Sequence, residues 1–302
     1  MHIETLKVFC DLVDLQSFSM AAERNFITQS AVSQQIRALE DKYKRRLLER
    51  VRGRREIRLT PAGEVFYRES RNVLAAYAQL EENLRGLVGK IGGTIKVATV
   101  YSVGLHELPA KVREFMTKFP TVKIDLEYSR TTRVVRDVMN GTVELGIVAY
   151  PEPRRGVTIV PMPGNRLVLI TPPNHKLAKR TKVKVDDLQG EAFVHFERDV
   201  PTRKAIDKIL REHHIDVNKV AEFDNIETIK RAVEVGFGIA IVPLPAVMAA
   251  AAADQLAIVK LAEKEWERPV GVIFRSDRTL SLAAKKFVQL LEAPVTSKAA
   301  SV

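Results

Sequence analysis

Phe18 to Glu40 reads FSMAAERNFITQSAVSQQIRALE, a pattern that predicts two short helices joined by a tight turn. Ser19 stands where it can cap the first, and Ala21 and Ala22 let a neighbouring helix pack closely. The chain breaks at Asn25, with Phe26 and Ile27 expected as apolar plugs. Thr28 follows as the cap of the second helix, its hydroxyl placed to accept a backbone N–H from the first turn. Val32, Ile36 and Leu39 recur at helical spacing and predict one buried face. The opposite face carries Gln29, Ser30, Ser33, Gln34 and Arg37, short or amide-bearing side chains suited to hydrogen bonds with base edges in a major groove. A merely solvated polar face is the competing reading, and the neighbouring sequence decides between them.

A helix from Ile3 to Leu15 precedes this stretch, with Leu6, Phe9, Leu12 and Val13 on one side. A basic hairpin, LLERVRGRREIRLT from Leu47 to Thr60, follows it. Gly53 supplies a turn between two short strands, and Arg50, Arg52, Arg54, Arg55 and Arg58 crowd one ribbon. A helix-turn-helix beside an arginine wing is a duplex-DNA reader, with the ribbon on phosphate or in the minor groove. The run AAERNFITQSAVSQQIRALE, the LLER after it and the RLTPAG from Arg58 to Gly63 resemble the winged helix-turn-helix of the LysR-type transcriptional regulators. That family places a glycine ahead of the wing; here YKRRLLER stands in its place, with Tyr43, Lys44 and Leu48 in the altered positions.

With 302 residues, 46% hydrophobic and 28% charged, the chain is an ordinary globular protein long enough for two or three domains. Its net charge of +11 includes a cluster from Arg37 to Arg58, which is where phosphate neutralisation needs it. Cys10 is the one cysteine, so an internal disulfide framework is excluded, and a small buried hydrophobe is the expected role. The start MHIETLKVFCDLVD carries acids and reads as neither signal peptide nor membrane span. The expected location is the cytoplasm, at the nucleoid. Ala246 to Ala253 reads as a buried helix.

Thr60 and Pro61 announce a helix as N-cap and first helical residue, expected to run to about Lys90 and stop at Gly92 and Gly93. Along it Phe66, Val73, Leu80 and Leu87 fall seven apart, with Tyr77, Leu84 and Ile91 in a second row. That heptad seam predicts a homodimer, which lets two recognition helices address two half-sites. The resemblance includes a linker helix here, and implies a dimer of dimers and contact with RNA polymerase.

From Thr94 the order is β-α-β-α-β: TIKVATV, a helix from about Ser102 to Lys118, VKIDLEY, a helix from Thr131 to Asn140, then LGIVAY. It implies a parallel sheet with helices on both faces. VTIVPM and RLVLITP lead to a second set: AFVHF, a helix from Thr202, VAEF, a helix from Ile226, GIAIVP and LAIVKL. RPVGVIF and a helix from Leu282 return to the first. The expected architecture is therefore an α-rich head on an α/β protein. It comprises a winged helix-turn-helix over 1–59, a linker helix over 60–91, and a two-lobed effector domain over 92–302. Lobe one spans about 94–163 plus 267–293 and lobe two about 164–266. The resemblance likens these lobes to type II periplasmic solute-binding proteins. The tail from Pro294 is expected to be disordered.

Ligands of such lobes sit beyond the carboxyl ends of the strands, at helix N-termini. Ser102, then Ser129, Thr131 and Thr132, and in lobe two Thr202 occupy these places, and hydroxyls with helix dipoles favour an anion. The resemblance implies effector-binding roles for Ser102, Thr132 and Thr202. Arg130, Arg133, Arg198 and Arg203 lie nearby and are expected mostly in solvent. No P-loop, nucleophile elbow or metal spacing occurs, so neither an enzyme nor a cofactor is expected. Gly236 and Gly238 read as a helix-to-strand turn. The leading function is a DNA-binding transcriptional regulator modulated by a small anionic metabolite; the alternative is a solute-binding protein without a DNA role.

Overall fold

The computed structural model describes residues 2–50, 57–86, 91–263 and 266–292, without the side chains of residues 50, 79, 82, 83, 85 and 86. The chain forms two compact units, Met1–Gly89 with Asn140–Thr142, and Lys90–Met139 with Val143–Val302. The first contains α1 (Ile3–Leu15), α2 (Phe18–Arg24), α3 (Gln29–Tyr43), the antiparallel pair β1 (Leu48–Arg50) and β2 (Ile57–Leu59), and α4 (Pro61–Gly86). Phe9, Leu12, Ala21, Val32, Ile36 and Leu39 make its core, as the helical spacing requires. Cys10 lies in the same core, where burial pushes its thiol up to about 12.

Several local details differ from expectation. The cap of α2 is Ser17, whose Oγ accepts from the Met20 N–H at 3.3 Å; Ser19 lies inside the helix. The left-handed Gln16 (φ 53°) reverses the chain just after α1, so α2 starts two residues earlier than the composition suggested. Phe26 is no plug. Its backbone is also left-handed (φ 55°) and its ring is 96% exposed, while Ile27 alone tucks against the core. Lys44, at the glycine position of the pattern that the sequence resembles, takes φ 51° and ends α3. The turn survives with a residue less suited to it. Gly63 cannot be replaced so easily, since a Cβ there would lie 2.0 Å from the Leu47 carbonyl oxygen.

In the second unit β3 (Gly93–Thr99), α5 (Tyr101–His106), α6 (Leu108–Lys118), β4 (Val122–Tyr128), α7 (Thr131–Met139) and β5 (Leu145–Ala149) come first. Then follow β6 (Val157–Thr171), β7 (Lys182–Val183), β8 (Ala192–Phe196), α8 (Pro201–Glu212), β9 (Asn218–Phe223), α9 (Ile226–Glu234), β10 (Ala240–Pro243), α10 (Met248–Ala252), β11 (Ala257–Leu261), β12 (Glu267–Arg275) and α11 (Leu282–Glu292). The main sheet runs β4-β3-β5-β12-β6-β11-β7, with β10 also on β6. β3 is parallel to β4 and β5, whereas β12 joins β5 and β6 antiparallel. β8 and β9 pair in parallel, and Phe193 bridges to Ile239 ahead of β10.

Two lobes result. Lobe one packs Ile95, Val97, Phe115, Ile147, Val272 and Phe287, and lobe two packs Leu169, Phe193, Ile206, Ile229, Ile241 and Trp266. VTIVPM and RLVLITP are one strand, β6, which starts against β12 in lobe one and ends against β10 and β11 in lobe two. The helix expected from Ser102 to Lys118 is split at Glu107, ahead of Pro109. Proline supplies no N–H to continue the ladder and restricts the residue before it. Of the alanine run only Met248–Ala252 is α-helical, as α10; Ala250 alone of those five is buried, while Ala246 and Val247 are buried ahead of it. Gly238 approaches the chain so closely that a Cβ would lie 2.3 Å from the Ala192 carbonyl oxygen, and with Gly236 (φ 84°) it forms the expected helix-to-strand turn. The tail from 293 lies outside the described residues.

His195 of β8 is buried against Phe193, with ring centroids 4.4 Å apart, and its Nδ1 meets no partner among the described residues. Burial, helped by the Arg203 charge, pushes its pKa from 6.5 down to about 4. Below pH 6.5 the unfolded chain takes a proton that the folded chain refuses until about pH 4. Stability is therefore lost on acidification through this window, by up to roughly 3 kcal/mol. Trp266, the single tryptophan, lies in the same core. Its fluorescence should report unfolding that grows easier from pH 6.5 to 4, and His195→Phe should flatten that slope. Equal slopes in both proteins would count against the assignment.

Candidate functional site

The second helix of the head is built to present its polar face. Thr28 caps it, Oγ1 accepting from the Ala31 N–H at 3.2 Å and lying 2.8 Å from Ser30 Oγ. Thr28, Gln29, Ser30, Gln34 and Arg37 are exposed and Ser33 is half-buried. Gln29 Oε1 accepts from Ser19 Oγ at 3.4 Å, so the displaced cap residue steadies the reading face instead. The wing is tied to this helix by one carboxylate: Glu40 Oε1 accepts from the N–H groups of Leu47 (2.7 Å) and Leu48 (3.2 Å). Gln16 Oε1 accepts from the Ile57 N–H at 3.1 Å and fixes the returning strand to α1. Glu49 lies opposite the exposed Arg58 across the ribbon. Arg52, Gly53, Arg54 and Arg55 lie outside the described residues, as does the side chain of Arg50.

Along α4 the proposed seam divides. Phe66 turns into its own unit, edge-on to Phe9 with centroids 5.0 Å apart and tilted against Tyr43 at 5.4 Å. Aromatic burial of that kind anchors the helix to the head, so Phe66 leaves the row of free apolar side chains. Val73, Tyr77, Leu80 and Leu84 are all exposed, and Leu87 lies outside the described residues. An apolar groove lined by Leu6, Leu47, Val65 and Val73 continues that row into the head.

In the second unit a cleft lies between the lobes. Ser102, Ser129, Thr131 and Thr132 line it from lobe one and Thr202 from lobe two, so all of the expected hydroxyl positions meet in one place. Thr131 and Thr132 open α7, and Pro201 and Thr202 open α8. α8 has no side-chain N-cap, and its first two residues, Pro201 and Thr202, line the cleft. Asn225 caps α9 beside them, accepting from the Thr228 N–H at 3.0 Å.

The arginines sort differently from expectation. Arg130 lines the cleft and reaches across to lobe two, 3.0 Å from Glu197 and Asp199 and 3.2 Å from Asp224. Arg133 stays largely in solvent beside Asp137, and Arg198 is exposed. Arg203 is buried, a correction to the solvated reading. It donates to Asp207, Glu222 and the Phe196 carbonyl, and braces α8 on β8 and β9. The cation at the floor of the cleft is one that pattern reading passed over, Arg268 of β12, only 1% exposed. Its Nη1 lies 2.9 Å from Glu107 Oε1 and its Nη2 donates to Ser102 Oγ at 2.7 Å. Burial draws its pKa down and Glu107 opposes that. The nearby Tyr150 hydroxyl is pushed up to about 12 by burial, against the pull of Arg268.

Comparison with known proteins places both units. Residues 3–64 match the family described as bacterial regulatory helix-turn-helix protein, lysR family, and residues 89–294 match the LysR substrate binding domain. A probable RuBisCO transcriptional regulator of Cyanidioschyzon merolae is 29% identical over 95% of this chain and 96% of its own. The full-length OxyR C199D structure from Pseudomonas aeruginosa shares the fold, with a TM-score of 0.76 at 21% identity over 97% of this chain and 93% of that one. The CcmR regulatory domain of Synechocystis PCC6803 in complex with 2-PG has a TM-score of 0.62. It is 25% identical, and the match covers 68% of this chain and 99% of that domain.

The bonds at Glu40 carry a prediction for the head. Glu40→Ala leaves the Leu47 and Leu48 amides without their acceptor, which is expected to cost about 1–3 kcal/mol locally. Hydrogen exchange at those two amides should accelerate correspondingly. Protection equal to that of the unmodified protein would show that the carboxylate does not hold the wing.

Proposed function

Because the chain belongs to the LysR family of bacterial helix-turn-helix regulators, we propose a division of labour along it. Residues 1–59 read a promoter, 60–91 pair two copies, and 92–302 receive a small anionic metabolite that adjusts binding. The protein is a DNA-binding transcriptional regulator; the assignment of individual side chains is our reading. Gln29, Ser33, Gln34 and Arg37 contact base edges, and Thr28 and Ser30 reach phosphate or bases at the helix N-terminus. Arg50, Arg52, Arg54 and Arg58 bind phosphate or enter the minor groove. The exposed row Val73, Tyr77, Leu80 and Leu84, with Leu87 beyond it, supports a homodimer through α4. A dimer of dimers and contact with RNA polymerase follow from family membership alone. The chain works in the cytoplasm, at the nucleoid, with no membrane partner; no described helix is long and apolar enough to cross a bilayer. We assign it no catalysis.

One observation carries the effector reading: Ser102, Thr131, Thr132 and Thr202 converge from both lobes on a cleft floored by a buried guanidinium. Hydroxyl donors, helix N-termini and a cation together suit a carboxylate or phosphate. The 2-PG (2-phosphoglycolate) bound to the CcmR regulatory domain is the probe this points to. A solute carrier without a DNA role leaves the helix-turn-helix match without a purpose.

Two measurements test this. Gln29→Ala should relax preference at one base position by about 1–3 kcal/mol, whereas Arg58→Ala should weaken all sequences alike and flatten the salt slope by about one unit. An unchanged base preference in the Gln29 variant removes that residue from the reading face. In calorimetry with 2-phosphoglycolate, Ser102→Ala and Thr202→Ala should each weaken binding by roughly 1.5–3 kcal/mol, the cost of a lost hydrogen bond to a charged group. Unchanged affinity in both would end the cleft assignment.

A further inference from the structure

The hydrogen bonds of Arg268 are arranged unevenly. Nη1 is paired with Glu107 and Nη2 donates to Ser102, but Nε, buried with the rest of the side chain, donates to no atom among the described residues. The edge formed by Nε and Nη2 is one from which a guanidinium receives a planar carboxylate with both oxygens. Ser102 is poised to help. Its oxygen already accepts from Nη2, so its own proton is directed elsewhere, toward an acceptor. The Tyr150 hydroxyl is a second buried donor without a partner among the described residues, close enough to feel the Arg268 charge. Arg268 also sits at a fixed point of the fold, opposite Asn165 of β6 and next to the register shift between Arg268 and Val270.

Resting on the anionic reading of the cleft, we propose that Arg268 selects a carboxylate on the effector, and that Glu107 limits affinity by competing for the same cation. The carboxylate lies on the Nε–Nη2 edge with the Ser102 hydroxyl beside it. The other end of the ligand extends toward the α7 and α8 N-termini, where Thr131, Thr132 and Thr202 suit a second anionic group such as phosphate. The ligand class is a short carboxylic acid bearing a second anion. Glu107 neutralises the buried guanidinium in the ligand's absence, a requirement for any charge so placed. It thereby also discounts what an arriving carboxylate gains.

The sign of one substitution separates this from a purely structural ion pair. Titration calorimetry on the full chain would compare 2-phosphoglycolate, glycolate and inorganic phosphate. Glu107→Gln, which keeps shape and a hydrogen-bond acceptor, should tighten 2-phosphoglycolate and glycolate about 5- to 10-fold and leave inorganic phosphate within about twofold. Arg268→Lys, which keeps the charge but loses the fork, should weaken the two carboxylates at least tenfold and erase their advantage over phosphate. If Arg268→Lys fails to fold, Glu107→Gln decides alone. Equal or weaker 2-phosphoglycolate binding in Glu107→Gln overturns the role of Arg268 while leaving the cleft assignment intact. Failure of the unmodified protein to bind 2-phosphoglycolate, glycolate or phosphate overturns both.

Discussion

The second unit depends on one pairing, that of β6 with β12. They run antiparallel from Val157 opposite Arg275 to Arg166 opposite Glu267. The next residues outward, Leu167 and Trp266, are joined by a backbone bond of 2.8 Å and already belong to the core of lobe two. Both passages between the lobes are therefore these two strands, side by side. A slip of one residue would exchange the two faces of β12, taking Val270 and Val272 out of one core and Ile273 out of another, so the packing on both faces of the strand holds the register. The irregularity falls where Pro269, which has no N–H for the ladder, interrupts it. A bulge of this kind redirects a neighbouring side chain, and here the neighbour is Arg268. The geometry of the cleft floor is thus a consequence of how the lobes are connected.

What the sequence made legible follows the range of the interactions involved. The recognition helix was readable because its cap, its buried triad and its polar face all lie within the sixteen residues of Thr28–Tyr43. The order of strands and helices was readable for the same reason. Boundaries failed where a local rule met a non-local constraint. Composition suggested Ser19 as a cap, but the left-handed Gln16 had already set the start at Ser17. Phe26 read as core, and a positive φ turned it out. Phe66 fits a heptad, yet Phe9 and Tyr43 claim its ring. Arg268 was invisible to pattern reading: a single base opening an apolar strand has ordinary solvated explanations, and its partners lie 161 and 166 residues away. The hydroxyls of the cleft, by contrast, follow strands at the ends where the α/β rule says to look.

The charges around the cleft differ in kind. Arg130 bridges to three carboxylates of lobe two, but the guanidinium and its partners are about half exposed. Exposed pairs of that sort contribute little and are screened by salt, so they do not fix the angle between the lobes. Arg268 is different. It is fully desolvated, and its partners Ser102 and Glu107 both belong to lobe one. Its ion pair joins the connecting strand to one lobe and leaves the other free. A ligand shifts a two-state equilibrium only by its difference in affinity for the two states. One that touched Arg268 and Ser102 alone would bind open and closed forms equally and change nothing downstream. Only a ligand long enough to reach Thr202 as well gains from closure. On the proposed effector assignment, the separation of the cation on one side from the uncapped helix on the other makes length, and a second polar end, the condition for a signal.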